Sequence, residues 1–385
     1  MLKYRKMIRC LKISVTIIFM CFCLMACGQI PADEVEKSDN LSIDSEMATE
    51  QESEYIDLHE YDFTLCFAGD ISLDENAVTT AQLDSSENGI YDCISPELIQ
   101  IMQGADIMCL NNEFTYSTNG TPMPSKAYTF RANPERVAVL QEMGVDVVTL
   151  ANNHVYDYGK QAFLDTMSTL NDAGIAYFGA GKNIDEAMKA VYYELDGKTI
   201  AFVGASRAEK YKLTPQATET ETGILRCYDT ELFLEAIREA DAKADFVIAV
   251  VHWGTEYSYD LEEVQLSTGK EYLDAGADAI IGGHSHCLQG MEIYNEKPII
   301  YSLGNYWFNS KTLDSMLIQL RFTGDDNGGN VEVSVVPAIQ SGAKTQIVTE
   351  TEEQERIYTF LEDISVNIEI DENGLVTEKS NGLSY

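Results

Sequence analysis

Two things are scarce in this 385-residue chain and three more are missing, and they narrow what the protein can be. Basic residues are scarce: 26 Lys and Arg stand against 63 Asp and Glu, a formal net charge of −37. Such a surface repels nucleic acid and anionic lipid head groups, so nucleic acid is excluded as a partner. Cysteine pairs at C-x-x-C spacing are absent. Four of the nine cysteines lie in residues 1–27, leaving the odd set Cys66, Cys93, Cys109, Cys227 and Cys287. That pattern excludes a disulfide scaffold and a structural zinc knot. Cys66 and Cys109 fall in apolar runs and read as buried thiols, and Cys287 as a packing residue. Beyond the first 26 residues, no apolar run is long enough to cross a bilayer. No internal repeat is present. Histidine is also sparse, with five in all, and four of these follow apolar runs.

The amino-terminal stretch reads as a targeting segment. Lys3, Arg5, Lys6, Arg9 and Lys12 precede an apolar run from Ile13 to Cys23, too short for a comfortable span. Leu24-Met25-Ala26-Cys27 follows, with small residues before a cysteine, as in a bacterial lipobox. Residues 1–26 are therefore expected to be a lipoprotein signal peptide, with Cys27 lipidated and the chain held extracytoplasmically on the cell membrane. Removing them removes five positive charges and no acids, taking the net charge from −37 to −42. Residues 27–62 are rich in Asp, Glu and Ser and poor in aromatics, the composition of a disordered tether.

From Phe63 onward apolar runs and helical segments alternate. Strands are expected at 63–68, 106–110, 145–150, 246–251 and 277–281. Helices are expected at 97–103, from Asn133-Pro134-Glu135 to Met143, and at 160–173, 230–242 and 261–275. Hairpins follow, one about Asp196-Gly197, one joining 291–294 to 298–302, and one joining 316–322 to 331–337. A last helix is expected near 352–362, then a short polar tail. This order predicts a layered α/β protein with a mixed sheet, the domain running over 63–340 and a C-terminal helix and tail over 341–385.

The chain is organised around Ile280-Ile281-Gly282-Gly283-His284-Ser285-His286. The two glycines are expected to turn the backbone tightly after a buried strand, and the alternate histidines to reach two sides of one small object. Four more apolar runs end in residues able to bind metal: Asp70, Glu113, Asn153 beside His154, and His252. Ligands bind at the carboxyl ends of strands in α/β folds. Two carboxylates, an amide oxygen and three or four imidazoles make the ligand set of a two-metal hydrolase, whose ions polarise a water and a leaving group.

These residues carry a family resemblance. Gly69-Asp70, Asn112-Glu113, Ala151-Asn152-Asn153-His154 with Asp157-Tyr158-Gly159, His252-Trp253-Gly254 with Glu256-Tyr257, Gly276-Ala277-Asp278, His284-Ser285-His286 and Tyr301-Ser302-Leu303-Gly304-Asn305 together resemble the CapA family. These are bacterial capsule (poly-γ-glutamate) synthesis proteins whose domain is similar to calcineurin-like metallophosphoesterases. The resemblance runs from about Phe63 to Ala338. It implies a four-layer α/β/β/α sandwich of metallophosphoesterase type with mixed sheets. It also implies one or two divalent ions (manganese, zinc or iron) on Asp70, Glu113, Asn153, His252, His284 and His286, with Glu113 bridging and His154 protonating the leaving group. The chain departs from the phosphoesterases where D-x-H becomes Asp70-Ile71-Ser72, which leaves the first ion weakly held or absent. Arg131 is a candidate clamp for a carboxylate or phosphate, or else a surface arginine before a helix, and Tyr257 and Asn305 either line the mouth of the site or only pack. Two classes of function follow. One is a metal-dependent hydrolase acting on a phosphoester or an amide-linked polymer. The other is an accessory that guides an extruded anionic polymer alongside capsule-synthesis membrane proteins.

Overall fold

The computed structural model describes residues 59–124, 126–209 and 213–379. The signal peptide, Cys27 and the tether up to residue 58 lie outside the described residues. The fold begins slightly earlier than expected, since Tyr61 and Asp62 already belong to β1 (Tyr61–Ile71).

β1 is central to the first sheet. It pairs in parallel with β2 (Ile107–Asn112), which leads in parallel to β3 (Val147–Thr149) and β4 (Ala176–Phe178). The second sheet starts with β5 (Val191–Leu195) and β6 (Lys198–Ser206), the hairpin expected about Asp196-Gly197. Next to β6 run β7 (Phe246–Trp253) and β8 (Ala279–His284), both parallel to it, and the hairpin β9 (Leu288–Tyr294) and β10 (Lys297–Leu303) completes the order β9-β10-β8-β7-β6-β5. The chain then returns to the first sheet. β11 (Asn305–Trp307) lies against the end of β1, and the long hairpin β12 (Leu313–Asp325) and β13 (Gly328–Ser341) adds on β1's other side, antiparallel to it. β14 (Lys344–Ile347) pairs with β13.

Alternation along the strands sorts their side chains into layers. Phe63, Leu65 and Phe67 of β1 and Ile107 and Cys109 of β2 face the second sheet, where they meet Phe202, Ile248, Val250, Ile281 and Ile300. Cys66, Ala68, Met108 and Leu110 face the other way. They meet helices α1 (Val78–Asp84), α2 (Pro96–Gly104), α3 (Val137–Met143) and α4 (Gly159–Ala173), chiefly through Leu98, Met102, Leu140, Phe163, Met167 and Leu170. The short α5 (Ile184–Met188) follows. On the outer side of the second sheet, Val247, Ala249, Val251, Trp253 and Ile280 pack on α6 (Glu231–Asp241) and α7 (Glu263–Asp274) through Phe233, Ile237, Tyr272 and Leu273. The result is the four-layer α/β/β/α sandwich with mixed sheets.

The polar tail expected after α8 (Thr351–Asp363) is instead structured. Residues 368–378 form β15 (Ile368–Ile370) and β16 (Leu375–Glu378) at the edge of the first sheet. Three- and four-residue strands carry too little periodicity to read in advance. They are held by Ile368, Ile370 and Val376, which join Ile357 and Leu361 in the core between the sheets. The five later cysteines are all free and buried, as expected of Cys66 and Cys109. Among the described residues, no helix is long and apolar enough to cross a membrane.

Candidate metal centre

The sheets deliver their carboxyl ends to one edge. In register, Asp70 of β1 lies beside Asn111 of β2 and Asn305 of β11, while His252 of β7 lies between Ser206 of β6 and Gly283 of β8. Gly282 and Gly283 are not the expected turn, for both are strand residues of β8. They are small because the backbone is crowded there: a Cβ on Gly282 would sit 1.9 Å from the Tyr301 carbonyl oxygen, and one on Gly283 3.0 Å from Asp70 Oδ1. The turn falls on the histidines themselves, with φ of +93° at His284 and +56° at His286. Non-glycine residues held in that region store strain, a feature concentrated at functional sites.

The histidine pair divides its work. Glu113, His252 and His284 each bring one potential ligand atom within 4.8 Å of the others, and so do Asp70, Glu113 and His286. All are buried, and Glu113 is common to both groups. Glu113 Oε1 has no hydrogen-bond partner, nor has His284 Nδ1. Around Oε1 stand His252 Nε2 at 3.6 Å, His286 Nε2 at 3.9 Å and His154 Nε2 at 4.0 Å. Those gaps are too long for hydrogen bonds. For His252 and His286 they are the separations, roughly 3–4 Å, of atoms that share an ion at bonds of about 2.0–2.2 Å. The donor set therefore fits a pair of divalent ions with Glu113 between them.

Asn153 Oδ1 lies 2.7 Å from His252 Nε2, beside the first group. His154 points inward under different control. Its Nδ1 is 2.7 Å from Asp157 Oδ2; a carboxylate only accepts, so Nδ1 carries the proton and Nε2 faces Glu113. Asp157 also accepts the Phe130 N–H at 2.8 Å and pairs with Lys126 Nζ at 2.8 Å, and Lys126 pairs in turn with Glu209 at 2.7 Å. The Phe130 ring lies 4.4 Å from that of His154.

Burial and mutual charge set the protonation of these groups. Burial holds His252 well below its ordinary pKa, and neighbouring His284 adds to this. Burial pushes His284 down to about 3. Burial also acts downward on His286, but its contact with Asp70 and with Asn305 outweighs that and leaves it raised. Glu113 is raised well above the carboxylate range, first by burial and then by the charge of Asp70.

The structure thus brings together Asp70, Glu113, Asn153, His154, His252, His284 and His286. Tyr257 stands at the surface, its ring 5.8 Å from that of His286 and covered by Lys311 Nζ at 3.5 Å. Asn305 is not at the mouth but fully buried, with Oδ1 2.9 Å from His286 Nδ1. Arg131 has partners of its own. It is the neighbour of Phe130, and its guanidinium lies 4.2 Å over the Tyr158 ring and donates to the Asn119 and Gly120 carbonyls. Ser72, where an imidazole would complete D-x-H, is buried and its hydroxyl accepts the Asp74 N–H.

Three participants went unread in the sequence. Asn111 donates to Asp70 Oδ1 at 2.7 Å and Glu113 Oε2 at 3.1 Å, bracing the two carboxylates. Its signal was available, since it lies near the end of β2, two residues before Glu113. Asn152 ties the loop, accepting the N–H groups of His154 and Val155 and donating to Asn111 and to the Asn112 carbonyl. Lys126 sits in an irregular segment with no pattern to mark it.

The family model described as "Bacterial capsule synthesis protein PGA_cap" matches residues 64–310. The chain is 32% identical over 268 residues to the PGA biosynthesis protein CapA of Bacillus subtilis (strain 168), covering 68% of each chain. It is 35% identical over 237 residues to the capsule biosynthesis protein CapA of Bacillus anthracis, covering 60% of this chain but only 56% of that protein. Among solved structures it is similar to the Haemophilus influenzae NAD nucleotidase, at 12% identity and a TM-score of 0.40, covering 80% of this chain and 64% of that one.

Proposed function

The chain belongs to the bacterial capsule synthesis protein family PGA_cap, and from that premise we propose that it is a lipid-anchored, extracytoplasmic capsule-synthesis protein whose buried centre is a metal-dependent hydrolase site. Its substrate is a phosphoester or amide-linked bond in an anionic envelope polymer, and it works beside capsule-synthesis membrane proteins. The supporting observation is the unpartnered Glu113 Oε1 among three imidazole nitrogens. Glu113, Asn153, His252 and His284 would hold one divalent ion, and Asp70, Glu113 and His286 a second with one donor fewer. When bound, such ions supply a polarised water and stabilise negative charge on the reacting group.

The remaining steps belong to the chain's own residues. Asp157 holds the His154 Nδ1–H and so turns Nε2 toward the centre, where the doubly protonated ring would give its Nε2 proton to a leaving oxygen or nitrogen. The Asp157 charge stabilises the imidazolium, and Lys126 with the Phe130 N–H keeps Asp157 in place. General acid catalysis of this kind is worth about 10²–10⁴ in rate.

Elemental analysis of protein purified without chelator tests this reading. We expect bound manganese, zinc or iron in the parent and in His154→Ala, and loss of metal in His284→Ala. His154→Ala should lose most turnover. Full polymer production in cells by His154→Ala, with undiminished hydrolysis of every substrate tried, would leave the polymer-guiding accessory as the correct reading.

A further inference from the structure

A cleft of about 360 Å³ adjoins the centre, lined by Arg207, Ala208, Glu209, Tyr228, Gly254, Glu262 and His284. His284 belongs both to this cleft and to the first ligand group, so a molecule in the cleft abuts the centre. Arg207 directly follows β6, and its N–H donates to the His252 carbonyl at 2.8 Å, which fixes it at the same sheet edge. Its guanidinium lies 4.5 Å over the Tyr228 ring and makes one long contact, 3.4 Å, to the Tyr228 carbonyl. Among the described residues no carboxylate lies within ion-pair distance of it. Arg136, Arg321 and Arg356, by contrast, each hold carboxylates. In a chain with 63 acids to 26 bases, a guanidinium kept clear of acids beside the centre has most of its donors to offer.

The acids of the cleft are differently placed. Glu209 is spent on Lys126 and on the Thr214 N–H. Glu262 accepts the Thr255 hydroxyl at 2.6 Å and caps α7, and no cation pairs with it among the described residues. An oxyanion fits Arg207, which binds carboxylate or phosphate through two parallel hydrogen bonds. The carboxylate of Glu262 only accepts hydrogen bonds. It repels a second negative charge and welcomes an N–H. A singly charged carboxylate with a neighbouring amide N–H satisfies both residues, whereas a phosphate dianion satisfies only one.

Resting on the hydrolase reading above, we propose that this cleft is the substrate subsite for a free carboxylate of an amide-linked acidic polymer. Arg207 clamps the carboxylate and Glu262 takes the adjacent N–H, which sets the next amide bond against the centre.

The test is calorimetric binding to the metal-loaded protein, with a glutamate tripeptide and inorganic phosphate as separate probes. Arg207→Ala should weaken tripeptide binding by about ten- to a hundredfold, and Arg207→Lys should restore only part of it. Glu262→Gln, which keeps a capping oxygen, should weaken the tripeptide and tighten phosphate. Metal content and thermal unfolding are read on each variant. Tripeptide affinity unchanged in both Arg207 variants overturns the proposal. Phosphate binding tighter than the tripeptide and lost in Arg207→Ala overturns it too, and reassigns the cleft to phosphate. A parent protein that holds no metal refutes the hydrolase reading instead, and one that holds metal but binds neither probe refutes the subsite alone.

Discussion

At the scale of single residues, the centre is held together by groups in costly protonation states. His284 stays neutral down to about pH 3 in the fold, while an unfolded histidine takes its proton near 6.5. Between those values the unfolded chain binds more protons, so stability present above pH 6.5 is lost as the pH falls. His252 acts in the same direction. Glu113 acts oppositely: its carboxyl is raised, so its contribution is lost as the pH rises. Chelator-treated protein should therefore lose on the order of 3 kcal/mol between pH 6.5 and 4 through His284, read from urea unfolding midpoints. His284→Asn should flatten that limb, and Glu113→Gln should stabilise the metal-free protein at neutral pH while abolishing metal binding. A parent whose midpoint does not move over that range would contradict this account.

At the scale of elements, what could be read in advance depended on burial and length. β1, β2, β7 and β8 are covered on both faces, so they appear as apolar runs, and the ligands follow where the runs stop. α3 and α4 end at the expected glycines, Gly144 and Gly174. β11, three residues long, was invisible, because what holds it is pairing with a strand some 235 residues earlier in the chain. For the same reason the sequence could not choose between mouth and packing for Asn305, and Lys126 was missed, since their partners are distant in sequence. The glycines of β8 were correctly singled out but for the wrong reason, because close approach and turning leave the same mark in a sequence. The two cases are separable by experiment. Gly282→Ala drives a methyl into the Tyr301 carbonyl and should cost about 1–3 kcal/mol or more. Gly104→Ala, at the last residue of α2 with nothing within 4 Å of the new Cβ, should gain about 0.5–1 kcal/mol. Equal unfolding midpoints for the two variants would count against the crowding.

At the scale of the whole molecule, charge and site are at odds. A net charge of −37 opposes the approach of any polyanion, while Arg207 attracts one acidic group at short range. Salt screens the distant repulsion far more than a contact made in a partly enclosed cleft. Raising ionic strength from about 10 to 150 mM, where the Debye length falls from about 30 to 8 Å, should speed association with a glutamate oligomer. Stopped-flow rates that fall steadily with added salt would show that global attraction, not local capture, governs the encounter.

β1 lies between β2 and the hairpin of β12 and β13, and this has a consequence for timing. Asp70 is made early, His286 more than two hundred residues later, and β1 gains its antiparallel neighbour along most of its length only when Leu313–Asp325 arrives. A chain delivered end first, by ribosome or translocon, therefore carries all but its last portion before the centre can close. An ion on the Glu113 centre would then be taken up only after β12 has been delivered, so the compartment in which the chain finishes folding would bear on which metal it meets.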